Sequence, residues 1–150
     1  MTGYVVDASV VVKWLVSENL SEEASALLKS EATLVAPALV FAEAANAMCA
    51  MRRRGDIDVD DMTDAVHALQ SAPVAIPVSM SRLTPAAARL AVDLDHPVYD
   101  CFYLALAIQT QYPVVTADLR FHDKVRGHPY LAESILHVAD AGSRAGRQPG

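Results

Sequence analysis

Four acidic side chains stand where an acid is costly. Glu43 is the only charge between Glu31 and Arg52, in the run Ala38-Leu39-Val40-Phe41-Ala42-Glu43-Ala44-Ala45-Asn46-Ala47-Met48. An isolated ionised carboxylate on a helix otherwise fit for burial is strongly destabilising unless a cation meets it or it lies at the rim of a pocket. Arg54 shares its helix face but, eleven positions on, sits roughly 16 Å away along the axis, too far for a direct bond. Asp100 repeats the pattern in Pro97-Val98-Tyr99-Asp100-Cys101-Phe102-Tyr103-Leu104-Ala105-Leu106-Ala107. Asp7 and Asp118 follow the short apolar runs Tyr4-Val5-Val6 and Val114-Val115-Thr116. Taken singly, Asp7 and Asp118 also suit caps or turns, and Asp100 suits the positive end of a helix. Glu43 is the one that such readings explain worst.

Taken together, the four imply a site. Two carboxylates within about 4 Å repel by on the order of 4 kcal/mol at an effective dielectric of about 20. A hard divalent cation relieves that repulsion, and Mg²⁺ and Mn²⁺ prefer carboxylate and water oxygens. One or two such ions would position a water, lower its pKa and stabilise charge on a phosphate, so the chemistry suggested is metal-dependent phosphodiester hydrolysis.

The elements that must position these acids follow from hydrophobic period and punctuation. Tyr4–Asp7 reads as a strand, after which Ser9 can cap a helix carrying Val10, Val11, Trp14 and Leu15. Ser21-Glu22-Glu23 opens a second helix, Thr33–Ala36 reads as a strand, and Pro37 as the first residue of a long helix ending near Arg54-Gly55. Helices are expected over Asp58–Gln70, Pro85–Leu94 and Val98–Gln111, with a turn at Asp95-His96-Pro97. Val74–Val78, Pro113–Thr116 and a segment around Ile135–Val138 read as further strands. Strands alternating with helices specify an α/β protein with a parallel sheet covered on both faces, in which ligands bind beyond the carboxyl ends of the strands. Asp7 and Asp118 stand at two such ends. Residues 1–140 are expected to form one domain and 141–150 a tail, small, polar and basic from Gly142 onward.

Composition sets the outer limits. The chain has 150 residues, 53% of them hydrophobic and 20% charged, enough for one sizeable core. Eighteen acids against 12 basic residues give a net charge of -6, which argues against gripping a long duplex by charge alone. The N-terminal residues lack a basic signal region, and the apolar stretch from Leu34 to Met51 is interrupted by Pro37, Glu43 and Asn46, so neither a secretory signal nor a membrane span is expected. Cys49 and Cys101 match no zinc or redox spacing and suit buried thiols of a cytoplasmic protein.

Four segments carry a resemblance: Val5-Val6-Asp7-Ala8-Ser9, Ala36–Asn46, Val98–Ala107 and Val114-Val115-Thr116-Ala117-Asp118-Leu119-Arg120-Phe121. In order and spacing they resemble the PIN-domain ribonucleases, and most closely the toxin component of VapBC-type toxin–antitoxin pairs. The resemblance implies a three-layer α/β/α sandwich and an endoribonuclease whose Asp7, Glu43, Asp100 and Asp118 hold Mg²⁺ or Mn²⁺, with a metal-positioned water as nucleophile. It further implies Ser9, Thr116 and Asn46 as supporting polar neighbours, a homodimer, an RNA substrate and a small cognate antitoxin. Asp123 is a weaker candidate for the surroundings of the site. Arg52, Arg53 and Arg54 could meet RNA phosphates or an acidic antitoxin surface, or simply complement a helix C-terminus; Arg120, His122, Lys124 and Arg126 could form a second basic edge.

Two other readings remain at this level. A catalytically silent interaction module would keep the fold and bind RNA or a protein, against which the intact acidic quartet argues. An aspartyl-phosphate phosphatase would need an acid two positions after Asp7, where Ser9 stands.

Overall fold

In the computed structural model, residues 2–147 are described, the last two by backbone alone. Four short strands, β1 (Gly3–Val6), β2 (Thr33–Val35), β3 (Val114–Thr116) and β4 (Ile135–His137), form one sheet in the order β2-β1-β3-β4, with every pairing parallel. Eight helices flank them: α1 (Ala8–Leu15), α2 (Ser21–Lys29), α3 (Leu39–Arg53), α4 (Val59–Gln70), α5 (Met80–Leu94), α6 (Val98–Thr110), α7 (Leu119–Arg126) and α8 (Val138–Arg147). The result is the expected α/β/α sandwich. β1 and β3 are buried along their whole lengths, as continuous apolar strands of a doubly covered sheet must be. Among the described residues no helix is long and apolar enough to cross a membrane.

The strand order places the site. After β1 the chain crosses to β2 on one side, then returns to β3 on the other, so the crevice beyond the carboxyl ends of β1 and β3 is a topological switch point. Asp7 is the first residue after β1 and Asp118 the second after β3. The N–H of Asp7 donates to Val115 O at 3.1 Å, which continues the β1–β3 ladder one residue past β1 and pins the Asp7 backbone.

α6 is buried on nearly every side from Cys101 to Ala107 and packs lengthwise against α5. The turn between them depends on Asp95, whose φ of 48° puts it in the left-handed region, where Asp is tolerated better than most residues. That turn leads directly into Pro97 and the first turn of α6, which carries Asp100.

Several boundaries differ from those the sequence suggests. Ser9 lies inside the first turn of α1, with Asp7 at the capping position. α3 begins at Leu39, after a turn in which Val40 N–H donates to Pro37 O. Of Val74–Val78 only Ala75 pairs, in a single parallel bridge with Val35; Pro73 and Pro77 lack the N–H groups that would extend the ladder. α5 starts at Met80, where Ser79 Oγ accepts from Arg82 N–H, and Pro85 is carried inside the helix on its exposed face. Finally, the tail expected from Gly142 is helical as far as Arg147; residues 148–150 lie outside the described part.

The packing of α8 on α2 explains that last difference. Ala141 is fully buried, and a Cβ placed on Gly142 would lie 2.5 Å from the backbone oxygen of Glu23. The glycine permits a helix–helix approach that composition alone presents as tail. In an exposed helix Gly→Ala would stabilise by about 1 kcal/mol. Here Gly142→Ala is expected to destabilise by about 1–3 kcal/mol because backbone must shift. Denaturant unfolding of the two proteins decides the sign.

Candidate active site

Asp7 is the deepest member of the site, 6% exposed. Its side chain caps nothing, because Oδ2 is taken by two hydroxyls: Thr116 Oγ1 donates at 2.7 Å and Ser9 Oγ at 3.0 Å. Each hydroxyl also accepts a backbone N–H from the connection between β3 and α7, Ser9 from Ala117 and Thr116 from Asp118, both at 3.0 Å. The pair therefore fastens the end of β1 to the end of β3. Burial pushes the Asp7 carboxyl up to about 7, and the charges of Asp100 and Glu43 push in the same direction, against the two hydroxyl bonds.

Glu43 stands one turn into α3 and accepts from the Tyr103 hydroxyl at 2.7 Å. Burial raises its pKa and the Asp100 charge adds to this, with the tyrosine bond opposing. Burial and the neighbouring acids also push the Tyr103 phenol far above its ordinary range, so it stays a donor.

Asp100 is raised by burial and by Asp118, and held down by His96, whose Nε2 lies 2.7 Å from Oδ2. The His96 ring is itself packed parallel to Phe121, centroids 5.3 Å apart. Asp118 caps α7, its Oδ1 accepting from Arg120 N–H at 2.9 Å and Phe121 N–H at 3.3 Å. Asp100 is thus the acid whose charge raises both Asp7 and Glu43, and it is itself raised by the charge of Asp118.

One regularity runs through the quartet. Asp7 gives Oδ2 to the protein, Glu43 Oε1, Asp100 Oδ2 and Asp118 Oδ1, and each has a second oxygen that takes part in none of these bonds. Hard oxygen donors left over on mutually repelling, partly desolvated acids suit a divalent cation in type and charge. Among the described residues, however, no group of three or more His, Cys, Asp or Glu side chains is placed so that it could, as it stands, hold a metal ion.

The other expected residues divide. Ser9 and Thr116 join the site as described, but Asn46 is exposed and enters none of its hydrogen bonds. Arg52, Arg53 and Arg54 are exposed at the far end of α3, roughly 14 Å or more from Glu43 along the axis. Arg54 there pairs with Asp56 at 3.0 Å. Asp123 is largely exposed and bonds to the neighbouring His122 at 2.9 Å. Cys101 is buried, with a thiol pushed up to about 11, and Cys49 is half-buried; both are free.

Two residues were not anticipated. Tyr103 carried a signal, since a phenol on a fully buried helix needs a partner for its hydroxyl. His96 precedes the helix that bears Asp100, directly after the left-handed residue Asp95, and meets that acid across the start of the helix.

The fold and the quartet together define an α/β protein with an acid-lined crevice at its switch point. A family model for the PIN domain matches residues 4–127, and the chain belongs to that family. No curated protein matches the sequence. Solved structures share the fold. PAE2754 from Pyrobaculum aerophilum is 22% identical with a TM-score of 0.70, over 98% of this chain and 91% of that one. VapC20 of Mycobacterium tuberculosis, a toxin that cleaves the sarcin-ricin loop, is 16% identical with a TM-score of 0.62, over 81% and 94%. A toxin–antitoxin complex from Klebsiella pneumoniae is 13% identical with a TM-score of 0.60, over 91% and 98%.

The raised Asp7 pKa has a consequence for stability. Between its ordinary value of 3.8 and about 7 the folded protein keeps a proton that the unfolded chain has released. Stability is therefore greatest below that window and falls as pH rises through it, in total by on the order of 4 kcal/mol for a shift of this size. In chelator, the melting temperature is expected to fall between pH 5 and 7.5, and Asp7→Asn to remove most of that slope. Thermal melts across the range measure both.

Proposed function

We propose that this PIN-domain protein is an Mg²⁺- or Mn²⁺-dependent endoribonuclease and the toxin of a type II toxin–antitoxin pair. The observation that carries the reading is the quartet itself: four acids at a switch point, each held through one oxygen with the second left over. The fold shared with VapC20 and with a toxin–antitoxin complex supports the class.

When bound, one or two such ions would supply an acidified water and offset the charge of the phosphate. Asp7, Glu43, Asp100 and Asp118 would hold them. The chain's own contribution is preorganisation. Ser9 and Thr116 fix Asp7, Tyr103 orients Glu43, and His96, seated on Phe121, orients Asp100. Burial weakens the screening of Asp7 and, in part, of Glu43 and Asp100, so an arriving cation meets these charges more strongly than it would meet exposed acids. At pH near 7, binding of a cation would displace the proton from Asp7. A homodimer, a small antitoxin and a cytoplasmic setting complete the proposal.

Purified protein incubated with cellular RNA and Mn²⁺ is expected to cut it, and chelator, Asp7→Asn or Asp100→Asn to abolish cutting. His96→Ala, which removes the orienting partner of Asp100 and the ring packed on Phe121, is expected to lower the rate by roughly 10–100-fold. Chelator-insensitive cleavage, or folded Asp100→Asn protein as active as the parent, would refute the metal mechanism. Absence of any cleavage would favour the silent interaction module.

A second measurement does not depend on turnover. Mn²⁺ is expected to raise the melting temperature of the parent, because an ion that binds only the folded state stabilises it by mass action. The rise should be smaller in Glu43→Gln; equal shifts in the two proteins would remove Glu43 from the set of ligands.

A further inference from the structure

Beside Glu43 a groove of about 360 Å³ opens between α3 and the first turn of α6, lined by Leu39, Ala42, Glu43, Asn46, Ala47 and Tyr99. Its lining offers three kinds of surface. Leu39, Ala42 and Ala47 make an apolar floor. Tyr99, the residue before Asp100, is 60% exposed and contributes its ring. Asn46 is exposed three positions beyond Glu43 on the same helix, with an amide that takes no part in the hydrogen bonds of the acidic site.

An apolar floor, an aromatic wall and an amide with both a donor and acceptors match the chemistry of one particular guest. An unpaired nucleobase is flat and apolar on its faces and polar at its edge, and proteins hold such bases by stacking on aromatic rings and bonding to the edge. A phosphate is a poor guest, since among the described residues the only charged one lining the groove is Glu43 and no cation lines it. An aliphatic side chain of a protein partner would suit the floor but leave the Asn46 amide unmatched.

We propose that this groove seats a single unstacked nucleobase of the RNA, stacked on Tyr99 and read at its edge by Asn46. The inference rests on the ribonuclease reading of the acidic site. Glu43 belongs to both the groove wall and the quartet, so the seated base flanks the phosphate being cut. Tyr99 and Asn46 then set which base stands at one position beside the cleavage point.

The test has two arms. The first compares cleavage of a single-stranded RNA library in Mn²⁺ by the parent, Tyr99→Ala, Tyr99→Trp and Asn46→Ala. Tyr99→Ala is expected to raise KM roughly tenfold with kcat little changed, the loss of one stacking contact, and Tyr99→Trp to restore it. Asn46→Ala is expected to relax base preference at one position only. The second arm needs no metal: a single-stranded RNA hexamer with 2-aminopurine walked along it is titrated with protein in chelator. Quenching is expected at one position, lost in Tyr99→Ala and kept in Tyr99→Trp.

Chelator-sensitive cleavage with parent-like KM in Tyr99→Ala, or quenching that Tyr99→Ala leaves unchanged, overturns the base seat while the ribonuclease reading stands. It would then leave the groove to a side chain of a protein partner. Tyr99-dependent quenching by a protein that cuts no RNA supports the seat and removes the nuclease. Matched melting temperatures of the four proteins show that the comparison concerns the groove and not folding.

Discussion

A carboxyl group that is 6% exposed, at the junction of two central strands, is the constraint around which this molecule is arranged. Desolvation opposes its charge, and two hydroxyls answer it, one from the helix after β1 and one from the end of β3. Those hydroxyls also accept the backbone N–H groups of Ala117 and Asp118. Ionisation of Asp7, the meeting of β1 with β3 and the placing of Asp118 are therefore one mechanical unit. Replacing Ser9 or Thr116 by an apolar residue would not only loosen an acid; it would also take the acceptor from a part-buried backbone N–H.

The remaining acids are arranged by graded burial. Asp118 is satisfied by the first turn of α7 as an ordinary cap, Glu43 and Asp100 are half sunk, and Asp7 is fully sunk. Asp100 stands electrostatically between the others. Its partner His96 lowers its pKa while burial and Asp118 raise it, so a single neighbour opposes the rest of its surroundings. In a site built from like charges, that neighbour stabilises the ionised state with a hydrogen bond where a second acid would only add repulsion.

The fold and most of the site were legible in the sequence because both are written in local patterns. Buried parallel strands read as short apolar runs, and an acid immediately after such a run marks the carboxyl edge of a sheet. Glu43 and Asp100 were visible for a related reason: nothing near them in sequence could neutralise them. What escaped depends on three-dimensional contact. Asn46 is spaced to join Glu43, yet its side chain turns to solvent. His96 meets Asp100 across a turn whose left-handed residue, Asp95, does not announce that contact. The sequence reads Pro85 as the start of α5, whereas Ser79 caps the helix six residues earlier. α8 is not legible because a glycine that serves as a contact surface reads, beside small, polar and basic neighbours, as part of a tail.

The bond between Thr116 and Asp7 spans 109 positions of sequence. On a ribosome adding about 5–20 residues per second, Asp7 emerges roughly 5–20 s before the hydroxyl that completes its surroundings. During that interval β1 can pair with β2, but its other edge waits for β3. The acidic crevice is therefore among the last features of the molecule to exist, and a growing chain carries the parts of the site long before it carries the site. Whatever chemistry these acids perform, synthesis itself withholds it until the sheet closes across its centre.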